Sequence, residues 1–204
     1  MSALQKARFL LSAASVRDLP PEDGPEIAFV GRSNVGKSSA LNALAGRRRL
    51  AFASKMPGRT QTINFFDLDG RGRIADLPGY GFANVPEALR SGWDALIGGY
   101  LTARPALAGI VSLMDARRPL TENDRRTLEW LRQVPVPRLV LLSKSDKLSR
   151  AEGAKTIART RAALERAALG AEVLLFSSKS GEGVEEARAR VEAWLAPPHK
   201  PAAQ

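Results

Sequence analysis

The chain has 204 residues, 44% hydrophobic and 25% charged, which are the values of one ordinary globular domain with a full core. It has no cysteine and a single histidine, His199, so disulfides, thiolate metal sites and a histidine-cluster zinc site are excluded. A net charge of +10 favours polyanionic partners, RNA first among them; the alternative is a solvated, arginine-rich surface.

Residues 1–24 are a leader, expected to pack on or beside the domain. Lys6 and Arg8 precede a short apolar patch, Phe9-Leu10-Leu11, which Arg17-Asp18 soon interrupts. That is too short for a signal peptide, and no apolar run reaches membrane-spanning length. Cytoplasmic residence, no membrane partner and a monomer are expected. The leader ends in Pro20-Pro21-Glu22-Asp23-Gly24-Pro25, too broken for regular structure.

The domain itself is expected over 25–196. Ile27 to Val30 reads as a strand, and Gly31-Arg32-Ser33-Asn34-Val35-Gly36-Lys37-Ser38 follows it, fitting G-x-x-x-x-G-K-[ST]. Ser38 to Leu44 then opens a helix that Gly46 closes. Glycines at both ends let backbone wrap a phosphate chain, and the helix N-terminus completes an anion site. Lys37 is placed to reach β- and γ-phosphates, and the Ser38 hydroxyl to ligate Mg²⁺. Arg47 to Gln61 has no period and reads as a mobile loop. Thr62 to Leu68 alternates as a strand, and Asp69-Gly70-Arg71-Gly72 turns it into Arg73 to Asp76 as an antiparallel hairpin.

From there strands and helices alternate. Leu89, Trp93, Leu96, Ile97 and Tyr100 make a helical stripe within Pro86–Arg104. Leu107–Met114, Arg138–Leu142 and Glu172–Phe176 are strands. Thr121 and Ser149 open capped helices, and Val184 to Leu195 lines the last one. Trp93, Trp130 and Trp194 fall on helical stripes and are assigned to the core. Residues 197–204 are a flexible tail. The pattern predicts a mostly parallel six-stranded α/β sheet with one antiparallel strand and helices on both faces.

In such a sheet, ligands bind at the carboxyl ends of the strands, where the remaining clusters fall. Asp76-Leu77-Pro78-Gly79 follows one strand: Asp76 suits Mg²⁺ through water, and the Gly79 N–H suits the γ-phosphate. Ser143-Lys144-Ser145-Asp146 follows another. A carboxylate there accepts from guanine N1–H and the 2-amino group, which adenine cannot match, and Lys144 can lay its stem over the ring. Ser177-Ser178-Lys179 follows the last strand and offers a backbone N–H to guanine O6, with Phe176 at the strand's end counted among the nucleotide-binding residues.

The set GRSNVGKSS, PGRTQTINFF, DLPGYGFANVP, SKSDK and FSSKSGEG resembles the EngB (YihA/YsxC) family of bacterial ribosome-biogenesis GTP-binding proteins over nearly the whole chain. The resemblance implies a Ras-like P-loop GTPase fold, GTP/GDP and Mg²⁺ as ligands, and a role in assembling the large (50S) ribosomal subunit, through rRNA and ribosomal proteins. It also implies a link to cell division and septation. Gly58, Arg59, Thr60, Gln61 and Thr62 would then contact nucleotide. Thr60 becomes the Mg²⁺-ligating, γ-phosphate-sensing threonine and, with Lys37, a catalytic residue; Thr62 is the competing candidate. Two departures matter. Ser143 stands where Thr or Asn is usual, keeping a hydroxyl. Tyr80 stands where Ras-type switches carry a water-orienting glutamine, which implies slow hydrolysis, of order 10⁻⁴–10⁻² s⁻¹. Asn34 resembles a phosphate-loop asparagine that helps hold K⁺; the competing reading is a residue tolerant of unusual backbone angles. The rival functions are a P-loop kinase, and a basic RNA-binding module whose nucleotide is structural.

Overall fold

Seven strands build one sheet: β1 (Arg8–Ala13), β2 (Glu26–Gly31), β3 (Ile63–Asp67), β4 (Arg73–Asp76), β5 (Leu107–Asp115), β6 (Arg138–Ser143) and β7 (Glu172–Leu175). The structure is a computed structural model and describes residues 2–51, 62–80 and 96–196. Strand order is β1-β3-β4-β2-β5-β6-β7. Among the described residues, only β3 runs against its neighbours, antiparallel to both β1 and β4, and every other pairing is parallel.

The count is seven where the sequence predicts six, because the leader supplies β1. As an edge strand, β1 has a partner on one side only, and its register slips at Leu10. Phe9 stays exposed although its ring meets Phe66 edge-on, with centroids 5.9 Å apart. A bulged, half-covered strand shows no clean alternation, so the period that reveals the other strands is missing. The proline-rich end of the leader has no regular structure. Its carbonyls are nevertheless held: Arg104 Nη2 donates to Pro20 O at 2.6 Å and Arg73 Nη1 to Pro21 O at 2.7 Å.

The helices are α1 (Lys37–Leu44), α2 (residues 96–103 as described), α3 (Glu122–Leu131), α4 (Arg150–Arg166) and α5 (Val184–Leu195). Local chemistry sets their ends. Thr121 with Asp124, and Ser149 with Glu152, form reciprocal capping boxes. At the far end of α1, Gly46 turns left-handed (φ +61°) and Arg47 N–H reaches back to Asn42 O at 2.9 Å. The Leu89–Trp93 part of the second predicted helix lies outside the described residues; Leu96, Ile97 and Tyr100 are buried.

Alternation along β2 splits the core. Ile27 and Phe29 face α1 and α5, while Ala28 and Val30 face α2 and α3. A third cluster packs α3 and α4 on β6 and β7. Trp130 and Trp194 both pack against these cores. The Trp194 indole lies on Gly109, where an added Cβ would come within 2.3 Å of Cε3. Gly109→Ala is therefore expected to destabilise by about 1–3 kcal/mol through overpacking. Thermal unfolding should read a drop of roughly 2–12 °C; an unchanged midpoint would show that the indole repacks freely.

Candidate nucleotide site

The carboxyl ends of β2, β4, β5, β6 and β7 share one edge of the sheet, and the phosphate loop runs from β2 into α1 along it. Gly31 is required there by space, since a Cβ would come 2.9 Å from Val35 Cγ1 and 3.1 Å from Leu113 O. Gly36 is required by conformation, at φ +104°. No side chain caps the first turn of α1, so its N–H groups stay available to an anion. Lys37 and Ser38 open that turn. Lys37 Nζ forms an ion pair with Asp76 Oδ1 at the end of β4. The ammonium that would meet phosphate and the carboxylate that would face Mg²⁺ thus converge beside Ser38.

The segment after β4 folds back on the loop. Tyr80 N–H donates to Gly31 O at 3.2 Å, and Ser33 N–H to Tyr80 O at 3.0 Å. Leu77 N–H donates to Phe29 O at 3.1 Å, and Pro78 links these pairings. Gly79 backs onto the loop so closely that a Cβ would sit 3.0 Å from Ser33 N and Cα. The Tyr80 hydroxyl points to α3 and donates to Asp124 Oδ1 at 3.0 Å. Burial, then the Asp124 charge, pushes its pKa far above the ordinary phenol range.

The base-side clusters meet the loop through Ser143 and Lys144. Ser143 Oγ donates to Val35 O at 2.7 Å or Met114 O at 3.1 Å, so the hydroxyl alone tethers β6 to the phosphate loop. Lys144 stands left-handed (φ +61°), and its Nζ donates to Asn34 O at 2.9 Å and Asp115 Oδ2 at 3.0 Å. Ser145 N–H donates to Phe176 O at 3.2 Å, which joins the two base-side loops. Asp146 Oδ1 accepts from Ser177 Oγ at 2.7 Å, and that hydroxyl above all lowers its pKa. The Ser177 N–H already donates to Glu182 O at 2.9 Å, and Ser178 beside it is exposed.

Asn34 is exposed and left-handed (φ +62°), which by itself favours asparagine. Thr62 immediately precedes β3, its Oγ1 3.3 Å from Asn64 Oδ1. Gly58, Arg59, Thr60 and Gln61 lie outside the described residues. Sequence reasoning passed over two side chains that support the site. Asp115 ends β5 and accepts from Arg117 Nε, Nη2 and N–H as well as from Lys144. The Arg117 guanidinium first, helped by Lys144, holds its carboxyl well below the usual range. An acid at a strand's carboxyl end, the signal that marked Asp76, was present here too. Asn42 takes the Leu50 and Ala51 N–H groups on Oδ1 at 2.9 and 2.8 Å, pinning the start of the next loop to α1.

A family model described as 50S ribosome-binding GTPase matches residues 26–144. The probable GTP-binding protein EngB of Dechloromonas aromatica is 52% identical over 199 residues, 96% of this chain and 90% of that protein. Its counterpart in Thiobacillus denitrificans is 52% identical over 195 residues, 95% and 93% of the two chains. Among solved structures, a probable EngB superposes with TM-score 0.64 at 23% identity, over 83% of this chain and 98% of that one. Era of Aquifex aeolicus, bound to GDP and AlF4⁻, gives 0.65 at 20% identity over 89% and 60%. The last two show the Ras-like fold. With the phosphate loop and base-side clusters at one sheet edge, the chain is a P-loop GTPase and belongs to the EngB family of GTP-binding proteins.

Proposed function

We propose that this GTPase is a switch in assembly of the large ribosomal subunit, binding it with GTP and leaving after hydrolysis. The observation that carries the switch is Gly79, pressed on the phosphate loop where only a third phosphate would engage its amide. The ribosomal partner is supported by the description of the matched family and by the +10 charge. GTPase family membership leaves no place for the kinase reading or for a purely structural nucleotide. A link to division and septation follows from the resemblance, and a cytoplasmic monomer from the reading of the sequence; no described helix is long and apolar enough to cross a membrane.

The residues fit Mg²⁺. Asp76 pairs with Lys37, the residue before Ser38, and no cluster of three or more His, Cys, Asp or Glu exists among the described residues. One hydroxyl and one carboxylate, completed by phosphate and water oxygens, suit this hard ion better than a protein cage does. Ser38 and Thr60 would hold it directly and Asp76 through water. Bound there, it would neutralise charge on the β- and γ-phosphates. Lys37 leaves Asp76 to share that neutralisation, and the loop N–H groups hold the phosphates in line for attack by water.

Co-sedimentation with 50S particles tests the partner: binding is expected with a non-hydrolysable GTP analogue and weak with GDP. Equal binding in both states would refute the switch. For the cation, we propose that K⁺ speeds turnover relative to Na⁺ and that Asn34→Gly, which keeps the backbone region, removes the difference. Equal rates in the two salts would leave Asn34 with its backbone role alone.

A further inference from the structure

The hydroxyl of Tyr80 ends on a carboxylate that nothing exposes. Asp124 is fully buried, and its two oxygens serve different elements. Oδ2 closes the α3 capping box, accepting from Thr121 N–H at 2.9 Å and Oγ1 at 2.7 Å. Oδ1 accepts from Tyr80 Oη at 3.0 Å and lies 3.2 Å from Arg32 Nε, a nitrogen with no hydrogen-bond partner of its own. Thr127, one turn along α3, also faces the phenol. A helix cap needs only Oδ2; one further donor, Tyr80 Oη, and the Arg32 guanidinium charge converge on Oδ1 and join the phosphate loop, the β4 exit and α3 at one buried charge. Such a charge is tolerated because it is paired on both sides, and removing either partner leaves it short.

Tyr80 is therefore fixed at both ends, its backbone by Gly31 and Ser33 and its hydroxyl by Asp124. Gly79 precedes it and packs close to Ser33, where an added Cβ would come within 3.0 Å of backbone. We infer that Asp124 is a positioning residue for GTP hydrolysis: through Tyr80 Oη and Arg32 it sets the Gly79 amide beside the phosphate loop. The inference rests on the reading of Gly79 as the γ-phosphate donor. It gives Tyr80 a role that requires no contact with the attacking water. It also makes the start of α3 the first element outside the loop to register any shift of Gly79.

The test uses Tyr80→Phe and Asp124→Asn, both near-isosteric, their double variant, and Gly79→Ala, in the full chain. Loss of one hydrogen bond to a charged group predicts single-turnover GTP hydrolysis about tenfold slower in either single variant. The double variant should be no slower than Asp124→Asn alone, because each substitution removes the same charge-assisted bond, one by taking the donor and the other by taking the charge. GDP affinity should stay within about twofold, since GDP has no γ-phosphate to reach Gly79; a merely structural role would weaken both nucleotides together. Unchanged or faster hydrolysis in Tyr80→Phe, or multiplicative losses in the double variant, would overturn the assignment while Gly79→Ala is impaired. Full turnover in Gly79→Ala would overturn the reading of Gly79 and the assignment with it.

Discussion

Asp146→Asn is expected to weaken GTP and GDP binding about a hundredfold and to confer binding of xanthosine nucleotides, because two charge-assisted bonds are exchanged for mismatched ones. The carboxylate faces guanine N1–H and the 2-amino group in this reading. An asparagine can still accept one bond but turns an N–H toward the other donor. Xanthine carries a carbonyl at C2, which takes that N–H. The substitution should spare the fold, since Ser177 Oγ retains an oxygen to donate to. The same geometry sets the pH dependence. Ser177 chiefly, with Lys147 and Lys179 nearby, lowers the pKa of Asp146. A depressed value means the ionised form persists as pH falls, so GTP affinity should stay flat from neutrality to about pH 5 and fail below the ordinary carboxylate range. Competition titrations with GDP, XDP and ADP decide the matter. Undiminished GDP binding in the variant would remove Asp146 from base recognition.

Glu26→Gln should give the largest loss of stability. Glu26 begins β2, at the opposite sheet edge from the nucleotide site, and is completely buried. Its carboxylate accepts from Arg104 Nη2 at 2.6 Å and Nε at 3.0 Å, and from Tyr100 Oη at 3.0 Å, while Arg73 Nη1 stands 3.7 Å away. Burial, then the Glu26 charge, keeps Tyr100 protonated far above its ordinary range, so it donates at every physiological pH. Neutralising the carboxylate takes the buried anion from Arg104 and Arg73 and leaves them only the more exposed Glu22 and Asp23. Breaking a buried pair on one side costs about 3–5 kcal/mol. For a chain of this size that lowers the unfolding midpoint by roughly 6–20 °C. GDP affinity, measured well below that midpoint, should be near normal, because five residues of strand, about 16 Å, separate Glu26 from Gly31. A midpoint within a couple of degrees of the parent would mean that the arginines find other partners or water.

These two residues differ in how far the sequence exposes them. Asp146 was legible: it follows a buried apolar run, in a polar cluster of the right spacing, at a strand end. Glu26 was not, because its partners lie 74 and 78 residues away and an acid beside a proline-rich stretch looks like loop. The phosphate loop, the Asp76–Gly79 turn, the capping boxes at Thr121 and Ser149, and six of the strands were likewise readable. Each depends on residues within a few positions of one another, so spacing and period record them directly.

Tertiary structure alone decided the rest. Ser12 meets Asn64 across 52 positions to make the leader an edge strand, and Lys144 meets Asp115 across 29 to join the base-side loop to β5. Tyr80 meets Asp124 across 44, which turned a capping residue into an anchor for the segment over the phosphates. Contacts of that separation leave no local period. They exist only once helices close over both faces of the sheet and bring those side chains together, where burial makes an unpaired charge or hydroxyl too costly to keep.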